Sequence, residues 1–220
     1  MGKLVIFAGG FGSGKSEIAL NQALLLARDL KDVILADLDL VNPYFASRDV
    51  RPILEDAGIR LVAPSGELSF GDVPSIPGEI IGLLRQENNM VIDVAGDEVG
   101  SAVLGYLSKY IRARQGYEFF LVLNPYRPFA QEVQSVLDLR MHLEKAASLE
   151  FTGIISNPNL LGETTADIIR RGHQKVAAMA MSLDLPVANL TVTKEFYPEM
   201  AAAFGARVRT INLYLKPQWL

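Results

Sequence analysis

Residues Gly9 to Ser16 read Gly-Gly-Phe-Gly-Ser-Gly-Lys-Ser, a complete G-x-x-x-x-G-K-[ST] pattern. The apolar run Leu4-Val5-Ile6-Phe7-Ala8 precedes it, and a long amphipathic stretch opens near Lys15. This order demands a strand, a tight turn and a helix in immediate succession, and so constrains the fold more than any other feature of the chain. Glycine lets the turn curl until successive main-chain N–H groups point inward, which makes a cradle for a polyphosphate. In that cradle Gly10, Phe11, Gly12, Ser13 and Gly14 supply backbone, with Glu17 included at the start of the helix. Lys15 adds a positive charge near the β- and γ-phosphates, Ser16 offers its hydroxyl to Mg²⁺, and the helix N-terminus favours negative charge.

The rest of the chain repeats the strand–helix rhythm. Apolar, β-branched runs fall at 33–36, 59–62, 90–92, 119–123, 153–155 and 187–192, and helical spacing falls at 17–29, 78–87, 99–114, 128–147, 163–183 and 195–204. Such alternation predicts an α/β fold: a mainly parallel sheet of about seven strands with helices on both faces. Half of the 220 residues are hydrophobic, as expected of strands buried on both sides. No linker, repeat or low-complexity tract divides the chain, so residues 1–220 read as one domain, with 204–220 left as a C-terminal tail of no assigned role. The segment 64–77 holds three prolines and two glycines and reads as a long surface loop.

Composition excludes several classes. The chain has no cysteine, so a disulfide framework, a thiolate zinc site or an iron–sulfur cluster within one chain is ruled out. No apolar run approaches the roughly 18 residues of a membrane span, and Met1-Gly2-Lys3 leaves no room for a signal peptide ahead of the first strand. A cytoplasmic location is the expectation. A net charge of −4 argues against nucleic acid as the main partner. Arg112, Arg114, Arg170, Arg171, His173 and Lys175 form basic patches that a solvated helix face explains as well as phosphate contact does. The terminal stretch 211–220, with Pro217 and Trp219, lacks the repeated lysines and arginines of a membrane-anchoring helix.

In parallel sheets ligands collect beyond the carboxyl ends of the strands. The second strand runs into Asp37-Leu38-Asp39, two carboxylates on one side of the chain. Asp37 suits a metal ligand, direct or through water, and Asp39 suits a water-positioning acid, catalytic alongside Lys15. The fourth strand ends in Asp93-Val94-Ala95-Gly96, where Asp93 suits Mg²⁺ and the Gly96 N–H suits a γ-phosphate sensor. Asn124-Pro125 and Asn157-Pro158 end two later strands, and Asn157 carries both a donor and an acceptor for a purine edge. No N-K-x-D follows, so the acid that grips guanine is missing and ATP is favoured over GTP.

Phosphate loop, D-x-D, D-x-x-G and a strand-end Asn, in that order, resemble the MinD/ParA/CobQ–CobB branch of P-loop NTPases, of SIMIBI type, over about residues 3–192. The resemblance implies that fold, with ATP (or ADP) and Mg²⁺ as cofactors. Lys15 and Ser16 would serve phosphates and metal, with Asp37 supporting the metal and Asp39 placing water. Asp93 and Gly96 would form a second switch, and Asn157 would face the base. The activity implied is an ATPase whose switch segments, 37–50 and 93–101, engage a protein partner or a second copy in a homodimer. Asn42-Pro43-Tyr44-Phe45 offers aromatic surface for that contact. The branch commonly reads K-G-G-x-G-K-[ST], with an extra lysine used across a dimer, and here that position is Gly10. Arg48, Arg51 and Arg127 are the candidate replacements, and the sequence selects none. An ATP-dependent small-molecule ligase or kinase is the alternative, with Ser65, Glu67, Ser69 and Asp72 in the 64–77 loop facing a substrate. A metal-insertion helper is disfavoured, since His142 and His173 stand far apart and cysteine is absent.

Overall fold

The computed structural model describes residues 2–38, 50–63, 78–96 and 98–215. Strands β1 (Leu4–Ala8), β2 (Val33–Leu38), β3 (Arg60–Val62), β4 (Asn89–Val94), β5 (Glu118–Leu123), β6 (Gly153–Ser156), β7 (Val187–Thr193) and β8 (Val208–Ile211) form one eight-stranded sheet. Their order is β3-β2-β4-β1-β5-β6-β7-β8, and every pairing is parallel. Helices α1 (Lys15–Leu26), α2 (Arg51–Asp56), α3 (Glu79–Arg85), α4 (Glu98–Arg112), α5 (Val133–Ala147), α6 (Ala166–Ser182) and α7 (Tyr197–Phe204) lie between them. A parallel strand needs a crossover to return to the same edge, and the helices supply it.

Side chains of successive strand residues point to opposite faces, and the core divides accordingly. Leu4, Ile6 and Ala8 join Ile34, Ile92, Leu104, Leu107, Val136 and Val176 on the face covered by α3, α4, α5 and α6. Val5 and Phe7 join Leu35, Val91, Ile18, Leu20, Ala23 and Leu54 on the face covered by α1 and α2. Hydrophobicity on both sides of β1, β2 and β4 is the reason these strands read as continuous apolar runs.

The structure departs from the sequence expectation in four places. An eighth strand, Val208–Ile211, pairs with β7, so part of the segment expected as a tail is sheet. Its burial runs buried, exposed, exposed, buried, which is neither alternation nor an apolar run, so nothing local announces it. Short α2, with Pro52 in its first turn, was also not expected. The helix expected over 128–147 starts only at Val133, because Glu132 is extended at φ −124°, ψ 145° after the 3₁₀ turn Pro128–Ala130. Residues 212–215 lie along α1. There Asn21 and Asn212 exchange hydrogen bonds, Nδ2 to the Asn212 carbonyl at 2.9 Å and the Asn212 N–H to Oδ1 at 2.8 Å. Among the described residues no helix is long and apolar enough to cross a membrane.

Candidate nucleotide-binding site

The loop between β1 and α1 opens at the carboxyl end of a central strand. Gly14 is the N-cap of α1 in the left-handed region, φ 89°, and offers no side-chain cap. The first-turn N–H groups of α1 have no acceptor within the helix and face outward for a ligand. Gly12 is also left-handed, φ 74°, and the Ser13 N–H closes a turn onto the Gly10 carbonyl at 3.1 Å. Ser13 Oγ is buried with no hydrogen-bond partner among the described residues. A cradle of unclaimed amides with an orphaned hydroxyl fits a polyphosphate.

Asn157, at the end of β6, braces this loop from beneath. Its Nδ2 donates to the Ser13 carbonyl at 2.8 Å, and its Oδ1 accepts from Thr191 Oγ1 at 2.8 Å. A Cβ on Gly14 would lie 2.3 Å from that Nδ2, so the contact is possible only because residue 14 is glycine. The sequence suggested Asn157 for the base. Here one N–H of its amide goes to the loop and its carbonyl oxygen accepts from β7, which gives it a part in supporting the loop.

Asp37 and Asp93 are register partners on the adjacent strands β2 and β4, and Phe7 of β1 is the next register partner of Asp93. They continue the rows of Val33–Leu35 and Val91, so they point to the α1 face, where the loop begins. Both are almost entirely buried, 0% and 1% exposed, and Lys15 is 8% exposed. Two carboxylates on adjacent strands at the carboxyl end of the sheet are oxygen donors of the kind a divalent cation takes. No cluster of three metal-ligating side chains occurs among the described residues. A Mg²⁺ held jointly by phosphate oxygens, Ser16 and a carboxylate would need no such cluster.

Gly96 packs on the loop directly: a Cβ there would lie 2.6 Å from the Gly9 carbonyl oxygen and 3.2 Å from Phe11 N. On the opposite side the β5–α5 connection covers the loop. A Cβ on Gly10 would meet Phe129 Cβ at 3.1 Å, and one on Gly12 would meet Arg127 Cδ and Nε at 3.4 Å. The position of the branch's extra lysine is therefore closed over by Phe129. Phe11 itself projects outward, 76% exposed.

Glu17, grouped with the nucleotide residues from the sequence, turns elsewhere. Its carboxylate accepts from the Tyr214 N–H at 2.8 Å and the Leu215 N–H at 3.0 Å. Burial pushes its pKa up, and those two hydrogen bonds pull partly against the rise. It ties the segment after β8 to the first turn of α1. The basic patches are also largely engaged. Arg114 is buried and donates to the Gly2 and Asn88 carbonyls, both at 2.8 Å, and its pKa is lowered by burial. Arg170 pairs with Glu199, and Arg171 pairs with Asp167 at 2.6 Å. His173 shares a hydrogen bond with Ser156 Oγ at 3.0 Å and lies edge-on to Phe204.

The structure thus brings together Gly9–Ser16, Asp37, Asp93, Gly96 and Asn157, with Ser13 and Asn157 in contact across 144 positions. Asp39, the 42–45 aromatics, Arg48, the acids and serines of 64–77, and Trp219 lie outside the described residues. Arg51 is exposed at the start of α2. Sequence reasoning missed Thr191 and Phe129 and did not separate Arg127 from the other arginines. Asn124-Pro125 was the one local signal that a constrained turn precedes it.

Solved structures resemble this arrangement. Cell division protein FtsY from Thermotoga maritima superposes with a TM-score of 0.58 at 17% identity, over 87% of this chain and 62% of that one. Chloroplast FtsY from Physcomitrella patens gives 0.56 at 17%, over 86% and 58%. The signal recognition particle receptor FtsY from Elizabethkingia anophelis, solved in complex with GDP, gives 0.54 at 17%, over 87% and 58%. The likeness is one of fold. The chain spans about three-fifths of the length of these proteins. Likeness at this identity reaches the fold and stops short of the branch. No protein-family model matches the sequence, and a search of curated proteins returns no match.

Proposed function

We propose that the chain is a Mg²⁺-dependent ATPase that works as a nucleotide-dependent switch of the MinD/ParA/CobQ type. The observation that carries the reading is the register pair Asp37–Asp93, buried beside the loop of Lys15 and Ser16. Two buried carboxylates in register beside a glycine cradle supply oxygen donors where a metal and a polyphosphate would meet. Ser16, Asp37 and Asp93 would hold Mg²⁺, which when bound neutralises phosphate oxygens. Lys15 and the α1 amides would hold the phosphates, and Asp39 would orient water. Gly96, packed flush on Gly9, would pass the state of the loop to the 93–101 segment. Adenine is preferred because residues 157–160 read Asn-Pro-Asn-Leu, without the acid of N-K-x-D. A partner protein or a second copy would meet the switch segments.

Calorimetric titration with Mg–ATP and Mg–GTP tests this. Binding is expected with ATP favoured, and Lys15→Ala removes it. Unchanged affinity in Lys15→Ala would overturn the loop assignment, and a preference for GTP would overturn the base assignment. Asp39→Ala is expected to spare binding and slow phosphate release. Sedimentation with a non-hydrolysable ATP analogue then reads the second copy: an ATP-dependent dimer supports it, and a monomer leaves a separate partner protein.

A further inference from the structure

We propose that Arg127 is a second phosphate-contacting cation, delivered to the nucleotide within the same chain by the β5–α5 loop. The inference rests on the nucleotide reading above and adds a residue to it.

The loop that carries Arg127 is held at several points. Asn124 Nδ2 donates to the Asn159 carbonyl at 2.8 Å, and Asn124 Oδ1 accepts from the Tyr126 N–H at 3.2 Å. The Arg127 N–H closes the turn onto the Asn124 carbonyl at 3.0 Å, and the Ala130 N–H returns to the Arg127 carbonyl at 3.0 Å. Tyr126 Oη donates to the Ile168 carbonyl at 2.6 Å, fastening the turn to α6. Pro125 and Pro128 stiffen the backbone further. The base of the Arg127 side chain is therefore fixed before any ligand arrives, which spares the entropy of ordering it on binding.

The stem of Arg127 lies on the phosphate loop. A Cβ on Gly12 would come within 3.4 Å of its Cδ and Nε and 3.7 Å of its Cγ, so glycine at 12 leaves the arginine its place. Nε is buried there and has no hydrogen-bond partner among the described residues. The other arginines offer a contrast. Arg60, Arg140, Arg170 and Arg171 pair with carboxylates, and Arg114 donates from one Nη to two carbonyls while its other Nη, like Arg127 Nε, is left without a partner. Among the described residues Arg127 forms no ion pair. An unpaired guanidinium N–H packed against main chain is costly unless an anion completes it. A phosphate matches its planar fork.

Topology places this cation opposite the acids. The sheet order β2-β4-β1-β5 puts Asp37 and Asp93 on one side of β1 and the Arg127 loop on the other. A phosphate chain seated above β1 then has the carboxylates on one flank and a guanidinium on the other. Phe129, a little further along the same hydrogen-bonded turn, covers Gly10.

Arg127→Met keeps the methylene stem against Gly12 and removes the charge, and Arg127→Lys keeps a charge without the fork. Titration of Mg–ATP, with Lys15→Ala run in parallel, reads the result. Arg127→Met is expected to weaken binding roughly tenfold to hundredfold, with Arg127→Lys in between and the unliganded melting temperature unchanged. Wild-type affinity in Arg127→Met, while Lys15→Ala abolishes binding, overturns the proposal and leaves the nucleotide site standing. Wild-type affinity in both variants overturns the nucleotide site and this proposal with it. A lower melting temperature in both Arg127 variants, with affinity falling in step, assigns Arg127 to loop packing and also overturns it.

Discussion

The carboxyl ends of β1, β2 and β4 and the far edge formed by β7, β8, α6 and α7 treat charge in opposite ways. At the centre Asp37, Asp93 and Lys15 are buried, and the glycines around them allow backbone to touch backbone. At the edge Arg170–Glu199 and Arg171–Asp167 are half-exposed or exposed pairs on helices, of the kind worth little to stability. The α7–β8 cluster of Ile169, Leu190, Val192, Met200 and Val208 supplies the adhesion there. The edge follows the rules of an ordinary folded surface. The centre instead gathers buried charge and close main-chain contact around one loop.

The sharpest test of that contrast is Gly14→Ala. A left-handed φ costs a side chain about 1–2 kcal/mol, and displacing Asn157 from its buried bond costs about 1–3 kcal/mol more. Denaturant melts are expected to show a loss of roughly 2–5 kcal/mol, together with loss of nucleotide binding. A variant as stable as the wild type would mean that the loop is not braced. Asn157→Ala is next, at about 1–3 kcal/mol, since it orphans the Ser13 carbonyl and leaves the Thr191 hydroxyl only its longer bond to the Ser156 carbonyl. Because it also removes the atom that a methyl group on residue 14 would strike, the double variant should lose less than the sum of the two.

At the edge, His173 makes a smaller and pH-dependent contribution. Burial lowers its pKa below the usual 6.5, so the unfolded chain takes up the proton first. Stability is therefore expected to fall as pH drops from 6.5 toward the folded value, and to level off below it. Melting temperatures of His173→Gln should show a shallower slope across that window, and an identical slope would remove His173 from the account. Smallest of all is Arg170→Ala, expected to cost between about 0 and 1 kcal/mol in the same melts. A larger loss would mean that the edge is not ordinary surface.

Much of this was legible in the chain. The P-loop, seven of the eight strands and the two acid-bearing strand ends follow from local pattern, because a strand buried on both faces writes itself as an apolar run and a phosphate cradle needs glycine at fixed spacing. What was not legible depends on distant partners. Glu17 looks like a helix-start acid beside the P-loop until Tyr214 and Leu215 arrive to claim it. Val208–Ile211 is four residues with two exposed polar side chains, and only β7 makes it a strand. Nothing local to Asn157 shows that its amide also bonds Ser13 and Thr191.

The sequence by itself determined the layered α/β plan and the place of the glycine loop between β1 and α1, since both are written in spacing over a few residues. The tertiary structure alone decided which side chains meet there: that Asp37 stands beside Asp93, that Asn157 holds the loop, and that Arg127 rather than another arginine lies on it. The physical reason is that strand order and register, set by burial of the whole sheet, bring together residues whose local surroundings say nothing of each other.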